Sequence, residues 1–377
     1  MTAPLYHSDH SPVKKLDYPH AHAGLWFDRF FNGFRQTGSD WIIPKPDDNQ
    51  DAKRDWIKTV AGPVGSSEQL QTYAERKDCL VKHLGGRSQR YTTDWHFVTG
   101  MGNPHPVENG FSWHPTLGVP YLAGSAVKGL VRAWVESNED GLSIAQQKAR
   151  LKSWFGTASK DEVAEQAGGF MFFDAIPDQR PHLLCDIMTP HMGDWYSDGG
   201  QGDLKNPKAI PADWHEPLLV PFLAVKNARL VFSIAPRQPE FAEQLAQVFT
   251  ALTSALEWLG AGAKTATGYG YMSLDERFLQ EQAQDAERIA QQQRLSAMSS
   301  EQQQIDALRQ KLQQKKNSKA SELIGGPLYT ELRQLVAQTT DWPAEAKLEL
   351  LTVAKALVEF IGAQKNAKAK DLLKQLQ

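Results

Sequence analysis

Only two cysteines, Cys79 and Cys185, occur in 377 residues, which excludes a disulfide framework and a zinc site built from cysteine alone. No apolar run reaches the ~20 residues of a membrane helix, and no basic leader precedes an apolar stretch. The expectation is a cytoplasmic protein. Neither sign of charge dominates either: a net charge of -3 argues against a uniformly basic coat for nucleic acid. A local groove is still allowed, because binding depends on where cations converge.

Motifs for metals and nucleotides are missing as well. His215-Glu216 lacks the second histidine of HExxH, and Ala263 stands where a Walker A loop needs glycine before Lys264. Gly260-Ala261-Gly262 follows a helical stretch, not a strand, so it is no dinucleotide fingerprint. No cofactor and no metal is expected. Cys185 has His182 and His191 nearby in sequence, but its apolar strand pattern favours a buried thiol, and Asp186 with His191 reads as a turn or core pair. A noncatalytic protein is expected.

What is present is a sizeable apolar complement, 41% of residues, enough for a folded core. Gly118–Trp134 reads as a turn passing into a helix: Ser125 can cap it, and Val127, Leu130, Val131 and Trp134 stripe one side. Lys128 and Arg132, four residues apart, share a face. Glycines, helix-end N–H groups and two cations together suit a phosphate backbone.

Elsewhere, periodicity predicts a helix over His22–Gln36 and a mostly helical Asp55–Gly85 after Gly62-Pro63, with an irregular stripe of Leu70, Tyr73, Cys79, Leu80 and Leu84. Tyr91–Gly100 reads as a strand with Trp95 and Phe97 inward, and Gly100–Gly110 as a turn-rich loop or a hairpin. Ile144–Phe155 is a further helix, Asp161–Glu165 a solvated acidic segment, and Gly168–Ala175 and His182–Met188 are strands. Pro190–Pro217 is an aromatic excursion anchored by Trp195, Tyr196 and Trp214, with flexible backbone at Gly199, Gly200 and Gly202. Val220–Val225 and Ala228–Ile234, separated by Lys226-Asn227, suggest a hairpin, and Pro239–Leu259 a helix. That helix runs into a second glycine-rich loop, Gly260–Gly270 (GAGAKTATGYG), where Lys264 lies near N–H groups able to meet phosphate.

Composition then shifts. Asp275–Lys316, rich in Gln, Glu, Ala and Lys, is expected to contain a long exposed helix. Leu323–Leu376 reads as two or three helices broken at Gly325-Gly326-Pro327 and Trp342-Pro343. Apolar stripes at Leu328, Leu332, Leu335 and Val336, and at Leu348, Leu351, Ala354, Leu357, Val358 and Ile361, suit a small bundle.

Phe97–Gly102 (FVTGMG), Gly118–Arg132, Gly168–Ala175, Asp186–His191 (DIMTPH), Pro221–Val225 (PFLAV) and Gly260–Gly270 together resemble the RAMP superfamily of CRISPR proteins. Within it they resemble the subunit-six family of type III-B, or Cmr, effector complexes. The likeness runs from about Tyr91 to Leu274. It implies an α+β, ferredoxin-like RNA-recognition fold with large insertions, here spanning 1–274, beside a helical extension at 275–377. It also implies a noncatalytic ribonucleoprotein subunit for antiviral defence. Such a subunit would bind guide RNA near its 3′ end, meet target RNA, and touch Cmr backbone, small-helical and terminal RAMP subunits.

Gly124, Ser125, Lys128, Gly129 and Arg132 match the family's turn-to-helix signature. Gly260, Gly262, Lys264, Thr265, Gly268, Tyr269 and Gly270 match its distal loop. Ala123 and Ala126 depart from the proline and hydroxyl-bearing pattern. Both loops are expected to converge on one strip of RNA sugar and phosphate. The alternative is a free-standing CRISPR RNA-processing endoribonuclease of the same fold.

Overall fold

The computed structural model describes residues 22–46, 51–137, 143–157, 166–192, 195–196, 210–211, 215, 217–296, 298–318 and 321–376. The acidic segment Asp161–Glu165 lies outside the described residues, as do Gly199, Gly200, Gly202 and Trp214 of the aromatic excursion. The chain divides into two compact units, Met1–Glu276 and Arg277–Gln377.

The first unit opens with helices α1 (Ala23–Arg29), α2 (Ala52–Thr59) and α3 (Ser67–His83). Helix α1 stops well short of Gln36. Its apolar face includes Trp26 and Phe27, with Leu25 left exposed, and Phe31 leaves the helix to meet Trp56 edge-on. Arg35–Thr37 then pairs with Asp40–Ile42 as a hairpin across Gly38, whose φ is +64°. In Asp55–Gly85 the helix follows Gly62-Pro63 as expected: after α2 and the short strand Gly62–Pro63 comes α3, started by the Ser66 side chain accepting from Gln69 N–H. The buried face of α3 is Leu70, Ala74, Lys77 and Val81, leaving Cys79 and Leu80 exposed.

Two antiparallel sheets follow. Strand β1 (Arg87–Thr93) belongs to the first, and β2 (His96–Phe97) to the second. Pro104–His105 and Glu108–Asn109 form a small hairpin beyond them. Helices α4 (Gly124–Ser137) and α5 (Ile144–Phe155) come next, α5 started by a capping box between Ser143 and Gln146. Strands β3 (Phe170–Phe172), β4 (Ile176–Pro177), β5 (His182–Met188), β6 (Val220–Lys226) and β7 (Arg229–Pro236) precede α6 (Leu245–Trp258) and β8 (Met272–Leu274).

In the first sheet the order is β3, β7, β1, β8, with β4 also on β7. Numbering the core strands β1, β3, β7 and β8 by chain order gives 2-3-1-4, with α4 after the first and α6 after the third. That is the βαββαβ arrangement of a ferredoxin-like α+β fold. The two helices pack on each other, α4 also touching β3, and α6 touching β7 and β8. The second sheet runs Gly62–Pro63, β5, β6, β2.

β6 and β7 do not form the expected hairpin. β6 pairs with β5 and β2, whereas β7 pairs with β1, β3 and β4. Both strands are buried along nearly their whole length, so each needs neighbours in its own sheet, and the chain turns a corner at Asn227, whose φ is +54°. β1 and β2 turn the same corner at Asp94-Trp95. Thr93 seals it: its N–H donates to Ala228 O at 2.9 Å, and its hydroxyl accepts the Ala228 N–H at 3.0 Å.

Pairing Phe172 with Ile234 and Ile176 with Val231 leaves Phe173, Asp174 and Ala175 opposite only Phe232 and Ser233. The strand expected over Gly168–Ala175 is therefore only β3, followed by a β-bulge at Phe173–Ala175 that separates it from β4.

The second unit holds nearly all of α7 (Glu276–Ser296), then α8 (Ser300–Asn317), α9 (Pro327–Gln338), α10 (Ala344–Phe360) and α11 (Ala367–Lys374). The long helix expected within Asp275–Lys316 is α7, and a second, α8, is started by a reciprocal capping box between Ser299 and Gln302. Leu308, Leu332, Leu350, Ala354 and Leu357 are fully buried in this unit's own core. Leu348 instead faces solvent. Among the described residues no helix is long and apolar enough to cross a membrane.

Candidate nucleic-acid interface

The start of α4 is built by a residue far away in sequence. Leu122 pairs with Ala175 on the bulge, and Asp174 Oδ1 accepts the Gly124 N–H at 2.6 Å. A carboxylate at this end of a helix is also favoured by the helix dipole. Gly124 has to be glycine: a Cβ there would run into the carbonyl of Phe172. Ser125 is exposed and Asp174 takes the capping role expected of it. Since Ala126 N–H donates to Ala123 O, this helix end offers phosphate less than the sequence suggested.

Lys77 supports the same bulge from below. Its ammonium donates to Asp174 O at 3.1 Å and Val231 O at 3.2 Å, and burial pushes its pKa down to about 8.

The cations lie higher on α4. Ser125, Gly129 and Arg132 are exposed, and Lys128 is half-buried beside them. Gly129 faces open space, so the backbone there can be approached closely. Burial lowers the Lys128 pKa, with Arg237 and Arg132 adding to the effect. Three cations therefore gather on this flank. Arg237 is anchored by Nε donating to Gly168 O at 3.1 Å and by its N–H donating to Gly169 O at 2.7 Å. Arg132 pairs with Glu136 at 2.7 Å, but both are about half exposed and such a pair contributes little. Sequence reading missed Arg237, which stands 105 positions beyond Arg132 and joins it only through the fold.

Gly260–Gly270 is a clasp before it is anything else. Gly260, Gly262, Lys264, Gly268 and Gly270 all have positive φ, and Thr265 starts a short 3-10 turn. A Cβ on Gly262 would strike Val98 O, and one on Gly270 would strike Ala261 O. The N–H groups of Ala261, Ala263, Thr267, Gly268, Tyr269 and Gly270 are spent on protein carbonyls, those of Ala263 and Gly270 on Val98 and His96 at 2.8 Å each. Lys264 is the loop's one cationic side chain. Its ammonium lies 5.4 Å from the Phe222 ring centre and 5.8 Å from that of Tyr269.

The loop also closes over Asp186. Tyr269 OH donates to Asp186 Oδ2 at 2.7 Å, and His96 Nδ1 lies 3.3 Å from the same oxygen. Burial opposes ionisation of Asp186, yet hydrogen bonds from Tyr269, Ile187 N–H and His96 win and lower its pKa. Tyr269 responds in the opposite sense: burial, then the neighbouring carboxylate, raise the phenol pKa. The partners of Asp186 are thus His96 and Tyr269, in place of the expected His191. Cys185 packs against the main core, and burial raises its thiol pKa. Among the described residues no group of three or more His, Cys, Asp or Glu is placed to hold a metal ion.

The two glycine-bearing elements approach each other through a shared dipeptide. Val98 O accepts from Ala263 of the loop, and Thr99 hydroxyl donates at 3.0 Å to Tyr121 O at the approach to α4. From there α4 carries Lys128 and Arg132 onward, while Lys264 stays over Phe222.

The model of the RAMP superfamily matches residues 90–273, from within β1 to within β8. Over those residues the chain is similar to the RAMP superfamily. It resembles the CRISPR system Cmr subunit Cmr6 of Pyrococcus furiosus, 27% identical over 258 residues, covering 55% of this chain and 74% of that protein. Among solved structures, a cryo-EM structure of the type III-B Cmr-beta complex bound to cognate target RNA contains a similar chain: 20% identity, 62% of this chain and 78% of that one, TM-score 0.44. The crystal structure of Cmr6 from P. furiosus is similar at 25% identity over 50% of this chain and 97% of that one, TM-score 0.29.

Proposed function

We propose that the chain is a noncatalytic, cytoplasmic subunit of a type III-B CRISPR effector complex. It holds guide RNA near the 3′ end through the sugar-phosphate backbone and bridges neighbouring RAMP subunits for target-RNA interference. The observation that carries this reading is that a RAMP match over 90–273 coincides with Lys128, Arg132 and Arg237 gathered on one flank of the matched core. The relative named for the Cmr system supports assignment to that complex. In a chain of net charge -3, such a local gathering is what RNA binding requires.

Contact is made by shape and backbone, not by base sequence, because guanidinium and ammonium groups meet phosphate whatever the base. Co-purification of the full chain, sequencing of the bound RNA and a cleavage assay on the isolated protein test the reading. Recovery of guide RNA with Cmr subunits and no turnover is expected. RNA turnover by the isolated chain would assign it instead to free-standing processing.

A further inference from the structure

Alternation along Tyr91–Gly100 points Trp95 inward, yet Trp95 is 49% exposed. The corner at Asp94-Trp95 explains it: alternation carries on only while the strand stays in one sheet, and here the chain is changing sheets. A half-exposed indole at this position is held with unusual care. Trp95 stacks on His96 with ring centres 4.5 Å apart and planes 15° from parallel, and Tyr269 lies tilted at 4.8 Å. Both supporting rings are pinned by a single carboxylate, Asp186.

The spacing of these rings shows how they sit around the indole. The centres of His96 and Tyr269 are 6.1 Å apart. Rings on opposite faces of the indole would be much farther from each other than that, so these two do not sandwich it. The opposite face of Trp95 is left uncovered by them. Lys264 borders the same Tyr269 ring, at 5.8 Å.

We propose that Trp95 is a stacking platform for one unpaired base of the bound RNA, with Lys264 set beside it for that nucleotide's phosphate. The proposal rests on the RNA-binding reading above. Every base has a π-face, so the platform takes any base, and its rigid mounting reduces what ordering would cost on binding. The site lies apart in kind from the cations of α4: those meet phosphates only, whereas Trp95 is neutral and its contribution does not depend on salt.

The test uses the full chain and a mixed-sequence single-stranded RNA carrying 2-aminopurine. Trp95→Ala should weaken binding roughly five- to hundredfold at fixed salt, with Trp95→Phe keeping most of the affinity. Quenching of 2-aminopurine by the wild type should disappear in Trp95→Ala, and the salt slope should stay unchanged. A 4-thiouridine RNA crosslinked to the wild type should mark the peptide containing Trp95, which needs no variant to fold. Wild-type affinity in Trp95→Ala, alongside weakened binding when Lys128, Arg132 and Arg237 are replaced together, overturns the platform and leaves the RNA reading standing. Loss of a neighbouring protein subunit with RNA affinity intact also overturns it. No affinity of the wild-type chain for RNA overturns both.

Discussion

Asp174 Oδ1 accepts the Gly124 N–H at 2.6 Å, so a carboxylate fifty residues downstream closes the N-terminus of α4. The bulge between β3 and β4 puts it there, and Lys77 holds the bulge by the Asp174 carbonyl. The helix that carries Lys128 and Arg132 is thereby aimed by the sheet and not by its own cap.

Replacing Asp174 by alanine should cost about 1–2 kcal/mol, the loss of a helix cap in a partly buried setting. Asp174→Asn keeps an acceptor and should cost less. Urea midpoints decide it; a midpoint for Asp174→Ala equal to the wild type contradicts the assignment.

Lys77 makes stability depend on pH in a defined direction. Its pKa is about 8 in the fold against 10.5 as the ordinary value, so between those pH values the unfolded chain binds more protons. Below pH 8 both states are protonated and the burial penalty is constant. Above it, the stability of the wild type relative to Lys77→Met should rise, by up to roughly 3 kcal/mol towards pH 10.5. Denaturant melts of both proteins at pH 7, 8.5 and 9.5 check this, and a flat or falling difference would show that Lys77 is not desolvated as described.

Replacing Lys128, Arg132 and Arg237 together by alanine should leave the melting temperature nearly unchanged and weaken RNA binding uniformly across sequences. Each phosphate contact to single-stranded RNA contributes about 0.7 to the slope of log affinity against log salt, so losing three should flatten it by about 2. An unchanged slope would place these cations away from RNA.

Two glycines should respond in opposite directions. Gly270 has φ +78° and no room for a Cβ, so Gly270→Ala should cost more than about 1 kcal/mol or abolish folding. Gly129 lies mid-helix facing open space, so Gly129→Ala should stabilise by about 1 kcal/mol. Thermal melts of the two variants compare them directly.

Leu308 is fully buried in the core of the second unit. Leu308→Ala should destabilise that unit by about 2–5 kcal/mol while RNA affinity stays unchanged. A drop in RNA affinity without a change in melting would mean that the helical extension takes part in binding.

The sequence was most legible where neighbours three or four apart decide the outcome. The α4 stripe of Val127 and Val131 is buried as its spacing predicts, as are Leu328, Leu332, Leu335 and Val336 of α9 and the run of α6 from Leu245 to Leu256. It was least legible at corners. Trp95 continues an inward alternation on paper, and β6 and β7 look like a hairpin, because nothing local records that the chain changes sheets between them. The Ser299 and Gln302 capping box, three apart, is by contrast local and starts α8 where those residues stand.

For the candidate site the same division holds. Residue types and spacing alone determined that Lys128 and Arg132 share a helix face and that Gly260–Gly270 is a tight loop, since both follow from backbone geometry within a few residues. Only the tertiary structure decided that Asp174 caps α4, that Arg237 joins the cations, that the loop's Ala263 and Gly270 amides are taken by Val98 and His96, and that Asp186 binds His96 and Tyr269. Those pairings join residues tens to well over a hundred positions apart, and their energy depends on how two sheets and a bulge bring them together, which no local pattern along the chain encodes.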